Sequence, residues 1–391
     1  MSIKIKIEHR GKYYSIPFNK PYLTGKEKIY LSQVLKSLRF SGDGYFGKKC
    51  QELLKKQLKA KAVFLTNSGT AALEMAASMA NLKPGDEVIM PSFTFTSTAN
   101  AFVLRGAKIV FVDVDPKTMN INANLIEAAI TKKTKVIVPV HYGGVGCEMK
   151  KVMAIAKKHK LLVIEDAAQG LGASYKNKAL GTFGQFGCLS FHETKNVTSG
   201  EGGALIINDP EFIKRAEIIR EKGTNRSAFY RGQVDKYTWV DVGSSYLLSE
   251  LDSAFLYAQL QELSKINKLR LKIWQYYFKE LLPLTKNGLI ELVSLPKEAA
   301  LNGHLFYLKT KSLKERTELI SYLKARNILS VFHYVPLHSA PAGKKFGRFS
   351  GQDRFTSKDS DCLLRLPLFA TLTKAELKQV VRSIKEFYGQ N

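Results

Sequence analysis

Two residues, 29 positions apart, set the chemistry that this chain can perform. The apolar run Leu161 to Ile164 ends abruptly on Glu165-Asp166-Ala167-Ala168-Gln169-Gly170. A second apolar segment, Cys188 to Phe191, leads into His192-Glu193-Thr194-Lys195-Asn196. Short apolar runs of this kind read as buried strands. Asp166 then stands at a strand end, and Lys195 stands in a turn among small polar residues. An acid and an amine so placed suit pyridoxal phosphate (PLP) chemistry. The lysine links covalently to the cofactor aldehyde, and the carboxylate keeps the pyridine nitrogen protonated so that the ring accepts electrons. Lys195 and Asp166 are therefore the candidate catalytic residues.

Neither residue is informative alone. A strand-end aspartate often caps a helix or pairs with a cation, and most of the 60 Lys and Arg side chains must be solvated. Ser190 and His192 are, on the same footing, ordinary strand-end residues. Context adds weight. Thr66-Asn67-Ser68-Gly69-Thr70-Ala71-Ala72 follows a short strand and opens a helix. Free backbone N–H groups and the positive helix end suit a phosphate there, although the segment also reads as a plain capped helix start. Gln169, three residues after Asp166, reaches the same ligand edge. Phosphate turn, strand-end Asp-x-x-Gln and lysine follow one another in a fixed order.

The elements that must position these residues alternate. Ala62 to Thr66, Glu87 to Met90, Ile109 to Val112, Val136 to Val140, Leu161 to Ile164 and Ala204 to Ile207 are apolar runs without alternation. That is the pattern of strands covered on both faces. Helical stretches lie between them at Gly69 to Asn81, Thr96 to Arg105, Asn122 to Thr131, Glu148 to His159 and Pro210 to Lys222. Thr24 caps a helix to about Leu38, and Phe46 to Ala60 is another. The frame is α/β with a mostly parallel sheet. Residues 223–247, rich in Gly, Ser, Arg and Tyr, read as a long functional loop. Helices resume from Ser249 to about Glu280. His304 to Lys309 and Ile328 to Tyr334 then read as strands around the helix Leu313 to Arg326, and Lys374 to Tyr388 is the last helix.

Composition sets bounds. With 391 residues, 45% hydrophobic and 24% charged, the chain can bury a sizeable core in two domains. No apolar run reaches the roughly 20 residues that span a bilayer, and the N-terminus lacks a secretory apolar core, so a cytoplasmic protein without a membrane partner is expected. Cys50, Cys147, Cys188 and Cys362 are widely spaced, which indicates neither a metal site nor a disulfide framework. The net charge of +26 raises nucleic-acid binding. The lysines are spread over helix-like segments without a basic tail or a nucleic-acid signature, so no nucleic-acid partner is expected. A positive field would also attract an anionic substrate.

From about Ile16 to the C-terminus the sequence resembles the DegT/DnrJ/EryC1/StrS family of PLP-dependent sugar aminotransferases. The segments that carry the resemblance are Asn67-Ser68-Gly69-Thr70-Ala71-Ala72-Leu73, Pro91-Ser92-Phe93-Thr94-Phe95, Glu165-Asp166-Ala167-Ala168-Gln169, Ser190-Phe191-His192-Glu193-Thr194-Lys195-Asn196 and His333-Tyr334-Val335-Pro336-Leu337-His338. The resemblance implies the aspartate aminotransferase-like architecture of fold type I. A large PLP-binding α/β domain would cover 1–264, with 1–15 as an extended leader, and a small α+β domain would cover 265–391. It implies a homodimer with its active sites at the interface. It also implies roles. Lys195 is the Schiff-base lysine and proton shuttle, and Asp166 pairs with the pyridine nitrogen. Gln169 lies near the ring hydroxyl, and Phe95 stacks on the ring. Gly69, Thr70, Ala71 and Ser190 hold the phosphate, and His192 is grouped with these cofactor contacts. Some family dehydratases have His in place of the lysine, and Lys195 argues against that branch. Many members place an Asn after the Tyr of the loop equivalent to Ser245-Tyr246, where it reaches the neighbour's phosphate. Here Leu247 stands, and Ser245 is the candidate substitute.

A narrower likeness lies in His192 to Asn196, Lys222 to Ser227 and Arg231 to Trp239. It is to family members of the enterobacterial common antigen pathway, which move nitrogen from glutamate to dTDP-4-keto-6-deoxyglucose. It implies L-glutamate and a nucleotide keto-sugar as substrates. Arg231, Lys236, Tyr237, His333 and Tyr334 are then the substrate-contact candidates, because an arginine can pair with a diphosphate. Plain surface charge is the other reading of Arg231 and Lys236. The competing functions are an aminotransferase acting at C3 or on a UDP- or GDP-linked sugar, and a PLP-binding regulatory protein without turnover.

Overall fold

The computed structural model describes residues 8–9 and 12–390. The site depends on one eight-stranded sheet. Its spatial order is Gly347–Phe349, Lys108–Val112, Glu87–Pro91, Thr134–Ile137, Leu162–Asp166, Phe186–Ser190, Gly203–Ile207 and Ala62–Thr66. The first six run parallel, and Gly203–Ile207 is antiparallel to both of its neighbours. The sheet is buried on both faces, as the unbroken apolar runs require. Along Lys108–Val112, Ile109 and Phe111 join the core that holds the helices Gly69–Met79 and Thr96–Val103. Val110 and Val112 join the opposite core with the helix Met149–His159.

A second sheet, of four antiparallel strands, is ordered Glu291–Leu292, Phe306–Lys309, Leu363–Leu366 and Val331–Phe332. Side chains of the helices Leu263–Lys286, Leu313–Ala325 and Lys374–Phe387 share its core. The last of these helices starts on a full capping box between Thr373 and Glu376.

Several expected bounds shift. The strand at 136–140 is Thr134–Ile137, and beyond it Pro139 has no N–H to donate. Val140 still makes an isolated parallel bridge to Asp166. The strand at 328–334 shortens to Val331–Phe332, because Tyr334 takes a positive φ of 38° that a ladder does not accept. Residues 223–247 contain a short helix, Arg226–Tyr230. In the leader, Glu8–His9 pairs with Lys12–Tyr13, whereas residues 1–7, 10 and 11 lie outside the described residues. Sequence periodicity also missed the helix Thr356–Cys362 and the strand Gly347–Phe349.

The boundary expected at 264/265 falls at the start of the 24-residue helix Leu263–Lys286. Past it, the chain re-enters the large sheet through Gly347–Phe349. Asp113 fastens that return. Its carboxylate, 1% exposed, accepts from the N–H groups of Arg354 (3.0 Å), Phe355 (3.1 Å) and Thr356 (2.8 Å) and from the Thr356 hydroxyl (2.6 Å). Asp113→Ala strands these donors, and an unsatisfied buried group costs about 1–3 kcal/mol. We expect a loss of roughly 2–4 kcal/mol in total, read as a lowered urea midpoint. A midpoint equal to that of the parent would show that water replaces the carboxylate at no cost.

Candidate active site

The C-terminal ends of the parallel strands open into a cavity of about 740 Å³, a size typical of ligand pockets and the place where open α/β sheets hold ligands. Its lining includes Gly69, Thr70, Phe95, Asp166, Gln169, Ser190, His192, Lys195, His333 and Tyr334. Residues from five separate sequence segments therefore meet in one place.

Asp166 closes the strand Leu162–Asp166 and is 6% exposed. Its Oδ2 accepts from the Thr98 hydroxyl at 2.7 Å, and its Oδ1 from the Ala168 N–H at 3.1 Å. Thr98 in turn shares a hydrogen bond of 2.7 Å with Thr94. The neighbouring Glu165 points the other way. It takes the N–H groups of Gly181, Phe183 and Gly184, and the Nε2 of His141 at 2.9 Å. His141 Nδ1 accepts from the Cys147 N–H at 3.2 Å, which leaves Nε2 as the donor to Glu165. One carboxylate thus anchors the fold, and the next faces the cavity.

Lys195 lies in the turn after Phe186–Ser190, with its N–H on the His192 carbonyl at 2.9 Å. Burial lowers its amine to about 8, the Asp166 charge opposes that shift, and the Arg365 charge adds to it. A lysine near 8 has a far larger neutral fraction at physiological pH than an ordinary lysine and can act as a nucleophile and base. His304 and His333, also in the lining, are held well below the usual imidazole range, first by burial and then by the cations around them.

The helix Gly69–Met79 presents its N-terminus to the cavity. Ser68 caps it by accepting from the Ala71 N–H at 3.0 Å. That contact uses the Ala71 donor expected for a phosphate, and Ala71 does not line the cavity. The Gly69 and Thr70 N–H groups remain as the donors of the cradle. A Cβ on Gly69 would meet the Ser190 Cβ at 2.8 Å, so only glycine leaves that approach open. The Thr70 hydroxyl pairs with Ser97 at 2.7 Å.

Phe95 is 57% exposed at the rim and tilts toward Tyr334, with centroids 6.3 Å apart. Gln169 accepts from the Gly143 N–H at 2.7 Å and donates to the Tyr334 hydroxyl at 3.3 Å. Tyr334 stacks on His333, whose Nδ1 meets the Tyr142 hydroxyl at 2.8 Å. His192 contacts Thr194 at 2.9 Å and Glu201 at 3.6 Å.

Besides Ala71, four of the expected residues do not line this cavity: Arg231, Lys236, Tyr237 and Ser245. Arg231 is already engaged. Its guanidinium forms a forked pair with Glu217 at 3.1 and 2.8 Å and reaches Gln233 at 3.1 Å. Within one chain, then, it is not a free diphosphate clamp. Conversely, sequence reading missed Thr98, His304, Phe18 and Arg365. Only Arg365 left a signal, as a single cation inside the apolar run Leu363-Leu364-Arg365-Leu366.

The donors present fit PLP. They comprise a free amine, a carboxylate aimed into the cavity, a glycine-floored helix N-terminus for a phosphate, and an aromatic rim.

Comparison with known proteins agrees. The family model described as the DegT/DnrJ/EryC1/StrS aminotransferase family matches residues 21–385. A "Pleiotropic regulatory protein" of Geobacillus stearothermophilus is 36% identical over 92% of this chain and 93% of its own. A GDP-perosamine synthase of Caulobacter vibrioides is 32% identical over 94% and 96%. The PLP form of the sugar aminotransferase Spr1654 from Streptococcus pneumoniae superposes with a TM-score of 0.86 at 26% identity, over 96% and 99% of the two chains. The chain therefore belongs to the DegT/DnrJ/EryC1/StrS family and is a PLP-dependent aminotransferase of sugar nucleotides.

Proposed function

We propose that the protein transfers the amino group of L-glutamate to the C4 keto group of dTDP-4-dehydro-6-deoxy-D-glucose. The products are dTDP-4-amino-4,6-dideoxy-D-galactose and 2-oxoglutarate. The observation that carries the chemistry is the Lys195 amine, lowered to about 8, sharing one cavity with the buried Asp166 carboxylate. The choice of sugar is supported by the Lys222 to Trp239 stretch. The GDP-perosamine synthase relative favours a second reading, transfer to a GDP-linked keto-sugar. Incubation with PLP, L-glutamate and a panel of dTDP-, UDP- and GDP-linked keto-sugars, followed by mass and NMR analysis of the product, decides between them. A loaded protein that glutamate cannot convert would instead be a sensor, a role that the regulatory relative's name evokes.

Bound PLP supplies a covalent attachment point for amines and an electron sink. The protein supplies the rest. Lys195 Nζ takes a proton from the donor's α-carbon side and returns one to the acceptor side. Asp166 holds a positive charge at the ring nitrogen, and Thr98 and Ala168 keep its carboxylate aimed. The Gly69 and Thr70 N–H groups and Ser190 grip the phosphate, and Phe95 and Tyr334 bound the cavity at its rim.

We propose further that the loop carrying Arg231, Lys236 and Tyr237 serves the cavity of a second copy, as Ser245 would for the phosphate. Its rings are poorly covered in one chain, with Trp239 77% exposed. A solution mass of two chains, by light scattering, is the expected result, and a strict monomer with full activity would remove the idea.

Lys195→Ala should lose turnover by more than the 10²–10⁴-fold that positioned proton transfer typically contributes, while circular dichroism stays native. Near-parental rates would take Lys195 out of the reaction. Because only the neutral amine attacks, the rate at which apo-protein takes up PLP should climb as pH rises from about 6 and level off above about 8. Stopped-flow absorbance reads this, and a profile still rising at the ordinary lysine value near 10.4 would contradict the desolvated amine.

A further inference from the structure

The large sheet has a second concave region, at the edge away from Lys195 and Asp166. The strands Ala62–Thr66 and Phe186–Ser190 begin at that edge, and Gly203–Ile207 ends there. A hollow of about 730 Å³ is lined by Lys59, Lys61, Lys178, Thr182, Gln185 and Asn208. A second hollow of about 740 Å³ adjoins it and shares Gln57, Leu58, Asn177 and Ala179 with the first. Its other walls carry Leu171, Leu263, Leu271, Gln275, Lys268 and Lys272. Each has the size of a small-molecule site, and together they form one groove.

Five lysines line the groove, and Asp209 is the one acid in either lining. The Asp209 carboxylate already accepts from the Glu211 N–H at 3.1 Å. Nearby, Lys176 pairs with Glu298 at 3.8 Å and Lys265 with Glu262 at 3.4 Å, whereas none of the five makes an ion pair among the described residues. Their backbones are fixed. Lys59 caps the helix Tyr45–Leu58 at a φ of 53°. Lys61 donates its N–H to the Ile207 carbonyl at 3.1 Å. Lys178 follows a hairpin turn in which Lys176 and Asn177 take positive φ, 49° and 61°, and its ammonium lies 4.8 Å from the centre of the Phe183 ring. Lys268 and Lys272 stand one turn apart on the helix Leu263–Lys286. Unpaired charges thus converge from separate elements, and an anion would satisfy them.

The back wall of the groove reaches the active site. Asn267 lines the second hollow, donates to the Leu171 carbonyl at 3.3 Å and accepts from Asn196 Nδ2 at 2.8 Å. Asn196 follows Lys195, and its Oδ1 accepts from Nδ1 of His304, which lines the active cavity, at 3.0 Å. Two hydrogen-bonded amides therefore separate the groove from the reacting residues.

The two hollows differ in character, and the difference defines the occupant. Lys59, Lys61 and Lys178 offer point charges to phosphate oxygens. The adjoining hollow sets leucines beside the amides of Gln57 and Gln275, which suits a flat ring with a polar edge. A peptide partner fits poorly, because the edge strand Lys178–Ala179 is two residues long and too short to template an added strand. We propose that this groove binds a nucleoside diphosphate, alone or as its sugar ester, at a site separate from the active cavity, and that its occupancy is felt at Lys195 through Asn267 and Asn196. Only the second half rests on the aminotransferase reading of Lys195.

Calorimetry on the PLP-loaded protein uses dTDP, inorganic pyrophosphate and thymidine as probes. Lys61→Glu/Lys178→Glu, which alters two exposed side chains, should remove one equivalent of dTDP per chain. Affinity at that site should fall by at least about tenfold, with the melting temperature unchanged. Lys61→Gln/Lys178→Gln should lose less. In the parent, pyrophosphate should bind the groove more weakly than dTDP, and thymidine more weakly still. If charge reversal removes no equivalent of dTDP, the inference fails and the proposed reaction is untouched. It fails also if pyrophosphate and dTDP bind the groove equally, the mark of an unselective anion site, or if an acidic peptide binds there and dTDP does not. Coupling is read from the pH at which bound PLP changes its absorbance. Parent and charge-reversed variant should differ more with dTDP, at a concentration that fills the parent groove, than without it. An equal difference in both conditions shows that no signal passes through Asn267, and the second half falls. A loaded protein that binds dTDP in the groove yet converts no dTDP-linked keto-sugar would sink the proposed substrate instead.

Discussion

The cost of keeping a carboxylate charged inside a sheet governs this structure. Asp166 is almost fully buried, and no cation touches it among the described residues. A charge so placed survives only if hydrogen bonds replace water. Thr98 and Ala168 supply two of them. Thr98 does so only while the segment after Glu87–Pro91 is fixed. Its hydroxyl is itself held by Thr94. Ser92 is pinned to His338 at 2.7 Å, and His338 to Asp353 at 3.1 Å. The chain of contacts runs from the site through a turn at 337–339 to the segment that re-enters the large sheet. Aiming Asp166 thus enlists residues almost two hundred positions away.

Lys195 is set by the same balance. Burial pushes its amine down and Asp166 pulls it back, so the value near 8 is a compromise between desolvation and attraction. A site with the carboxylate alone would hold the lysine charged and inert. A site with burial alone would neutralise it but leave no acid for the cofactor ring. The positive field of the small-sheet residues tilts the balance toward the neutral amine. The overall charge of +26 extends that field outward, where it favours the approach of anionic substrates.

The sequence made the large-sheet half of the site readable. Strand ends and helix starts are local features: an apolar run that stops at Asp166, a glycine that opens a helix at Gly69, a lysine in a turn at Lys195. Each has a physical signature within a few residues. The small-sheet half was not readable in this way. His304 and Arg365 matter because the segment leading into Phe306–Lys309 and the strand Leu363–Leu366 bring them to one wall, and nothing within a few positions of either announces it. Thr98 looks like any helix residue until Asp166 is seen beside it. The strand Gly347–Phe349 is only three residues long, and its existence depends on Asp113 fastening the chain just beyond it. Periodicity cannot reveal an element held by a distant carboxylate. Ala71 shows the reverse case, since a local motif suggested a phosphate donor and the structure has its N–H on the Ser68 cap.

The loop at 223–247 raises a last question of economy. Thr224 bridges to Trp239 and Glu221 to Ser245, so its two arms are tied together. Gly223 takes a positive φ of 77° at a point where a Cβ would collide with the Asp241 carbonyl. Fixing such a loop costs backbone entropy of about 1–2 kcal/mol per residue. Yet it leaves Tyr230 69% and Trp239 77% exposed and recovers little apolar burial within its own chain. Ordering without burial makes sense if the covering surface comes from elsewhere. The second copy of the chain proposed above would be such a source, since it would cover the rings and bring the loop's cations to a cavity.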